Sequence, residues 1–201
     1  MIDTEKIIKQ IETDGYARIQ GVYDLSMVNK LITLCKEFFE NSENKISKDV
    51  PFLNRDQSTI YNLQNKNFFF VEALFYSHEL ETILKHFLND IWYKQIPQNE
   101  PNYILRSFGA RSSHKGLPLH IDSFIPYIGD NVIAMQYAIV LEDQTIENGC
   151  TTVIPGTHKS GKYADNNGTV KAIPIESKTG DVVIWDSRLW HGTTDNNSKG
   201  T

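Results

Sequence analysis

Apolar residues recur at helical spacing through much of the first hundred positions. Ile7, Ile8 and Ile11 share one face of a short helix that ends before Asp14-Gly15. Tyr16-Ala17-Arg18-Ile19 reads as a short strand. Leu25, Val28, Leu31, Ile32, Cys35, Phe38 and Phe39 predict a helix from Leu25 to about Phe39, with Asp24 or Ser26 as its cap. A polar stretch from Asn41 to Asp49 ends it, and residues 50–66 read as polar and irregular. Val71, Leu74, Phe75, Ile83, Phe87 and Leu88 then predict one further helix from Phe68 to Trp92.

After Pro101 the texture changes to short β-like runs separated by Gly, Pro, Asn and Asp. The runs are Tyr103–Phe108, Pro118–Asp122, Val132–Leu141, Thr151–Ile154, Val170–Ile175 and Asp181–Asp186. Short strands in series are the pattern of a β-sandwich or small barrel. With helices first and strands second, the chain reads as mainly β with α: a helical layer over about 1–100 on a sheet core over about 101–201. One domain spanning 1–201 is expected.

Composition adds mostly exclusions. The 201 residues are 40% hydrophobic and 22% charged, an ordinary globular balance that argues against disorder. A net charge of −5 does not favour nucleic-acid binding. No apolar run approaches the length of a membrane span, and the charged N-terminus lacks a secretory signal's apolar core. Cys35 and Cys150 are too few for a disulfide framework, so a reducing, cytoplasmic setting is expected.

The chemistry begins at His120-Ile121-Asp122. On a strand, residues two apart point the same way, so His120 and Asp122 would share a face while Leu119 and Ile121 take the other. Alone the triplet is weak evidence, because chance H-x-D is common. A second piece is His191, within Trp185-Asp186-Ser187-Arg188-Leu189-Trp190-His191-Gly192, just after a predicted strand. Two histidines and one carboxylate on one face of a metal leave three positions open, which suits non-haem Fe(II); zinc more often takes three tight ligands and one water. Between the two lies a turn, strand and turn, Glu147-Asn148-Gly149-Cys150 through Pro155-Gly156-Thr157-His158.

In this order, H-x-D, N-G-C, P-G-T-H and W-H-G, the sequence resembles the phytanoyl-CoA dioxygenase family of iron(II)- and 2-oxoglutarate-dependent oxygenases. The resemblance runs from about Asp14-Gly15-Tyr16 past His191 and is strongest from Leu117 to Asn196. It implies a double-stranded β-helix (jelly-roll) core. It also implies that His120, Asp122 and His191 hold Fe(II), with 2-oxoglutarate as cosubstrate, O2 as oxidant and a small organic molecule as substrate. Halogenating relatives replace the aspartate by a small residue, so Asp122 implies hydroxylation. The resemblance further implies an arginine for the distal carboxylate of 2-oxoglutarate eleven residues after His191, one position beyond Thr201. The chain is therefore expected to be C-terminally incomplete, a piece of a longer product.

Two further residues are expected at the cosubstrate. Arg106, on the predicted strand before H-x-D, is a candidate basic residue. Gln136 shares a face with Ala138 and Val140 by period two and is a candidate polar contact. His158 is expected to be structural or on the pocket rim. Trp185 and Trp190 are expected to pack, and Arg188 to reach the pocket or solvent. His78, His86 and His114 carry no motif. Arg111 and Lys115 read as a solvated loop pair. Residues 50–66, 108–117 and 123–131 are expected to wall the substrate pocket. Two rival readings stay open, an impaired jelly-roll binding module and a zinc hydrolase. The substrate's identity and the oligomeric state are not legible.

Overall fold

The computed structural model describes residues 2–40, 58–97 and 99–198. Helix α1 (Thr4–Asp14) starts where the Asp3 carboxylate accepts the Lys6 N–H at 3.1 Å. It ends at Gly15, whose φ of 85° lies in the left-handed region and whose N–H returns to the Ile11 carbonyl. A Cβ at Gly15 would meet the His158 ring at 2.5 Å, so the glycine serves the packing as well as the turn. Strand β1 (Tyr16–Ile19) follows, then α2 (Leu25–Glu40), capped by Asp24, which accepts the Met27 N–H at 2.8 Å.

The single helix expected over Phe68–Trp92 is two, α3 (Phe68–Leu74) and α4 (His78–Leu88). Buried Ser77 makes the break: its hydroxyl accepts the Leu80 N–H at 3.2 Å and starts α4 anew. Ile91 and Trp92 lie beyond the helix and are exposed. The segment expected to be irregular holds strand β2 (Ser58–Tyr61), while residues 50–57 lie outside the described residues.

β2 pairs antiparallel with β3 (Gly109–Ser112), which corrects the strand expected at Tyr103–Phe108. Tyr103 and Phe108 pack on the core, but Ile104, Leu105 and Arg106 face solvent with no ladder partner; pairing begins only where the chain meets β2. The later strands are β4 (Met135–Ile139), β5 (Thr151–Ile154), β6 (Ile173–Ile175), β7 (Val182–Asp186) and β8 (Trp190–Thr193).

Two antiparallel sheets, ordered β1-β7-β4 and β6-β5-β8, form a jelly-roll core. Alternation along β7 explains the layering. Val183 and Trp185 turn inward to join Val140, Val153, Ile175 and Leu189 between the sheets. Val182 and Ile184 turn outward against Ile11, Val28, Leu31, Phe70 and Ile83 of the helical layer. β7 is buried on both faces, so Val182 to Trp185 are apolar throughout rather than alternating. Each such side chain contributes about 1.5–3 kcal/mol by leaving water. On β4, Ala138 joins the inner cluster with Val140, as period two requires, while Met135, Tyr137 and Ile139 pack toward the helices. β1 comes from the N-terminal hundred residues yet is a full member of the core sheet. No helix among the described residues is long and apolar enough to cross a membrane.

Candidate metal centre

The centre is built where the His120 segment meets β8. His120 and His191 exchange both main-chain hydrogen bonds, His120 N–H to His191 O at 2.8 Å and His191 N–H to His120 O at 3.0 Å. The segment expected as a strand, Pro118–Asp122, is this one bridge and no more. His191, expected just after a strand, lies on β8 itself, because Thr151 to Ile154 supply it with a ladder. Glycine makes the approach possible: a Cβ at Gly192 would stand 2.5 Å from the Leu117 carbonyl oxygen. At the other end, the Ser187 carbonyl accepts the N–H groups of Asp122 (2.8 Å) and Ser123 (3.0 Å). The turn after β7 thereby holds the carboxylate in place.

The side chains converge. The donor atoms of His120, Asp122 and His191 lie within 4.8 Å of one another. His191 Nε2 is 3.1 Å from Asp122 Oδ2, and His120 Nε2 is 3.6 Å from Asp122 Oδ1. Each imidazole turns its other nitrogen to a carbonyl two residues earlier, His120 Nδ1 to Pro118 O and His191 Nδ1 to Leu189 O, both at 2.9 Å. A carbonyl only accepts, so each Nδ1 carries the hydrogen, and in the neutral ring each Nε2 presents a lone pair. Two lone pairs and a carboxylate then face one point. That arrangement repels itself unless a cation stands between, and it fits a divalent transition metal.

Electrostatics favour the metal-binding forms. Burial, and then the neighbouring His191, hold the His120 imidazole below its usual range. Burial would raise the Asp122 carboxyl, but its contacts with His191, His120 and the Trp185 indole together hold it low. Neutral imidazole and ionised carboxylate are the states a metal requires.

Trp185, expected only to pack, does more: its Nε1–H donates to Asp122 Oδ2 at 3.3 Å, and its ring lies 5.0 Å from that of His191. A buried indole N–H needs an acceptor, which was the available signal. The Ser187 contacts are main-chain and left none.

The other candidates separate. Arg106 comes to the rim, from an irregular segment rather than a strand; its Nη1 donates to the Asp122 carbonyl at 3.3 Å and its guanidinium covers the Phe124 ring at 4.1 Å. Gln136 lies on the inner face of β4, opposite Trp185 on β7. Arg188 reaches neither the triad nor solvent. It is buried against Asp186 (Nη2 to Oδ2, 2.6 Å), donates to Gly129 O and covers the Tyr127 ring. A segment in phase with Asp186 faces the helical layer, which explains that outcome. His158 is buried nearby, with no hydrogen bond to either ring nitrogen. Residues 129–131, part of the 123–131 segment expected to wall the substrate pocket, line a cavity of about 770 Å³ with His158, Asp186 and Arg188, and none of the triad borders it. Arg111 Nη2 does meet the loop, donating to the Lys115 carbonyl at 2.5 Å.

Comparison with known proteins gives the family. Dioxygenase af480 of Aspergillus fumigatus is 34% identical over 93 residues, 43% of this chain and 29% of its own length. Dioxygenase himG of Aspergillus japonicus is 23% identical over 98% of this chain and 65% of its own length. The chain thus spans less than two thirds of either relative. The crystal structure of HygX from Streptomyces hygroscopicus, with nickel and 2-oxoglutarate bound, superposes with a TM-score of 0.70 at 16% identity over 97% of this chain and 82% of that one, a likeness of fold. The phytanoyl-CoA dioxygenase (PhyH) family model matches residues 11–201, and this chain belongs to that family.

Proposed function

We propose that this protein is a non-haem Fe(II)- and 2-oxoglutarate-dependent oxygenase that hydroxylates a small organic substrate. His120, Asp122 and His191 hold the iron. The single observation that carries the reading is the convergence of two Nε2 lone pairs and one carboxylate within 4.8 Å, with both Nδ1 atoms tied to carbonyls. His120, Asp122 and His191 would hold the ion and leave it open to a chelating 2-oxo acid and to O2.

When bound, the iron with 2-oxoglutarate supplies the oxidising power, releasing succinate and CO2. The chain's own residues supply position. The reciprocal His120–His191 bridge and the Ser187 carbonyl fix the ligand backbones. Trp185 and the inner sheet face shield the buried side, where His191 is 5% exposed. Arg106 offers a cation at the open rim, and Gln136 a polar group on the inner face; both are assigned to the cosubstrate. Presence of a carboxylate at Asp122 supports hydroxylation. Both cysteines are free and buried, which supports a cytoplasmic setting.

The reading is tested by loading the purified protein anaerobically with Fe(II), then measuring O2-dependent conversion of 2-oxoglutarate to succinate. Iron-dependent succinate, absent in Asp122→Ala, is the expected result. Equal succinate from the variant overturns it.

A further inference from the structure

We propose that Asn166 is a positioning residue for the metal centre: its carboxamide fixes the two peptide groups that orient the His120 ring and close the His120–His191 bridge. The inference rests on the metal-centre reading above. Asn166 stands outside the triad, on the irregular segment between β5 and β6.

Asn166 Oδ1 accepts the Leu119 N–H and Asn166 Nδ2 donates to the Leu119 carbonyl, both at 3.0 Å. A side-chain amide thus takes the place of a neighbouring strand along one edge of the His120 segment, while His191 pairs along the other. Each of the two bonds continues through a rigid peptide plane into the centre. The Leu119 N–H shares its peptide with the Pro118 carbonyl, which accepts from His120 Nδ1 at 2.9 Å. The Leu119 carbonyl shares its peptide with the His120 N–H, which donates to the His191 carbonyl at 2.8 Å. A peptide held at one end presents a fixed and polarised group at the other. One carboxamide therefore fixes both the acceptor that sets the His120 tautomer and the donor that closes the bridge. His191 needs no such support, because β8 is already laddered to β5.

The segment that carries Asn166 is held by other bonds. The Trp190 indole N–H donates to the Lys162 carbonyl at 3.0 Å, and the Asp165 carboxylate accepts the Asn167 N–H at 2.8 Å. The Leu119 N–H and carbonyl, by contrast, have no main-chain partner among the described residues. The clamp serves the His120 side of the contact.

Asn166→Leu keeps the side chain's shape and removes both bonds. Asn166→Ala removes the shape as well, and carries the test should leucine disturb the fold. Asn166→Gln keeps the carboxamide and moves it by one methylene. Each full-length protein is melted free of metal, and its histidine tautomers are read by ring-nitrogen NMR above the pH range in which imidazole is protonated. Co(II) is then titrated under argon. Asn166 is exposed, so Asn166→Leu is expected to melt within about two degrees of the parent. In that variant His120 is expected to populate the Nε2–H form, while His191 keeps its hydrogen on Nδ1. Co(II) is expected to bind about tenfold more weakly, the lower end of what loss of an outer partner costs. Asn166→Gln is expected to recover part of both. A His120 ring that stays in the Nδ1–H form in Asn166→Leu, or a Co(II) affinity equal to the parent's, overturns the inference while leaving the metal centre standing. A parent protein that takes up no Co(II) overturns the metal-centre reading and the inference with it.

Discussion

The main-chain N–H of His120 donates to the carbonyl of His191, and the N–H of His191 returns the bond. This closed pair sets the two rings 4.3 Å apart between centroids and joins the His120–Asp122 segment to the jelly roll. Gly192 lets the segment come that close, since a side chain there would strike the Leu117 carbonyl and Pro118. Gly192→Ala is therefore expected to push the segment off β8. Overpacking against backbone costs about 1–3 kcal/mol. Thermal melting should show that loss, and metal affinity should fall with it. A variant that keeps both would separate the bridge from the centre.

Asp122→Ala removes the only anionic ligand. Metal affinity is expected to fall by more than about 100-fold, beyond what loss of an outer contact produces. Calorimetric titration with Co(II) checks this, and the metal-free variant should still fold, because Asp122 holds its segment through the main chain rather than through its carboxylate.

Arg188 and Asp186 form a buried ion pair, 4% and 1% exposed at their side chains, with Arg188 also donating to Gly129 O. Arg188→Met strands the Asp186 charge in the interior. A loss of about 3–5 kcal/mol is expected in denaturant unfolding. Asp186 adjoins Ser187, whose carbonyl holds Asp122, so weaker metal binding should accompany the loss.

His158 gives a pH dependence with a definite sign. Burial is the main cause that lowers its pKa below 6.5. Asp186 opposes the shift, while Lys159 and Arg188 add to it. Between the lowered value and 6.5 the unfolded chain binds a proton that the folded chain refuses, so stability rises with pH across that window and levels above it. Metal-free protein is expected to lose stability as pH falls from about 6.5, and His158→Gln should flatten part of that slope. Urea unfolding at pH steps between about 5 and 7 measures it; an identical slope in the variant would contradict the assignment.

Much of this was legible in the sequence where the signal is local. Ile7, Ile8 and Ile11 mark α1, Asp14-Gly15 its end, and the period-two run through Gln136, Ala138 and Val140 the inner face of β4. His120, Asp122 and His191 were legible through their order along the chain, and the structure brings them together. What failed depended on partners far away. Tyr103–Phe108 is apolar enough for a strand, yet a strand needs a ladder and β2 offers one only from Gly109 onward. The break at Ser77 hides in a helical periodicity that continues on both sides. Arg188 has no local sign that its partner is Asp186 rather than solvent. The Trp185 donor was legible in principle, but its acceptor follows only from the fold.

The most direct measurement is an anaerobic titration of the metal-free protein with Fe(II) and then 2-oxoglutarate, followed by visible absorption. A charge-transfer band that needs both additions, and is absent in Asp122→Ala, is the predicted result. A protein that takes up no iron, or one whose Asp122→Ala variant gives the same band, would contradict the assignment of His120, Asp122 and His191 as the iron site.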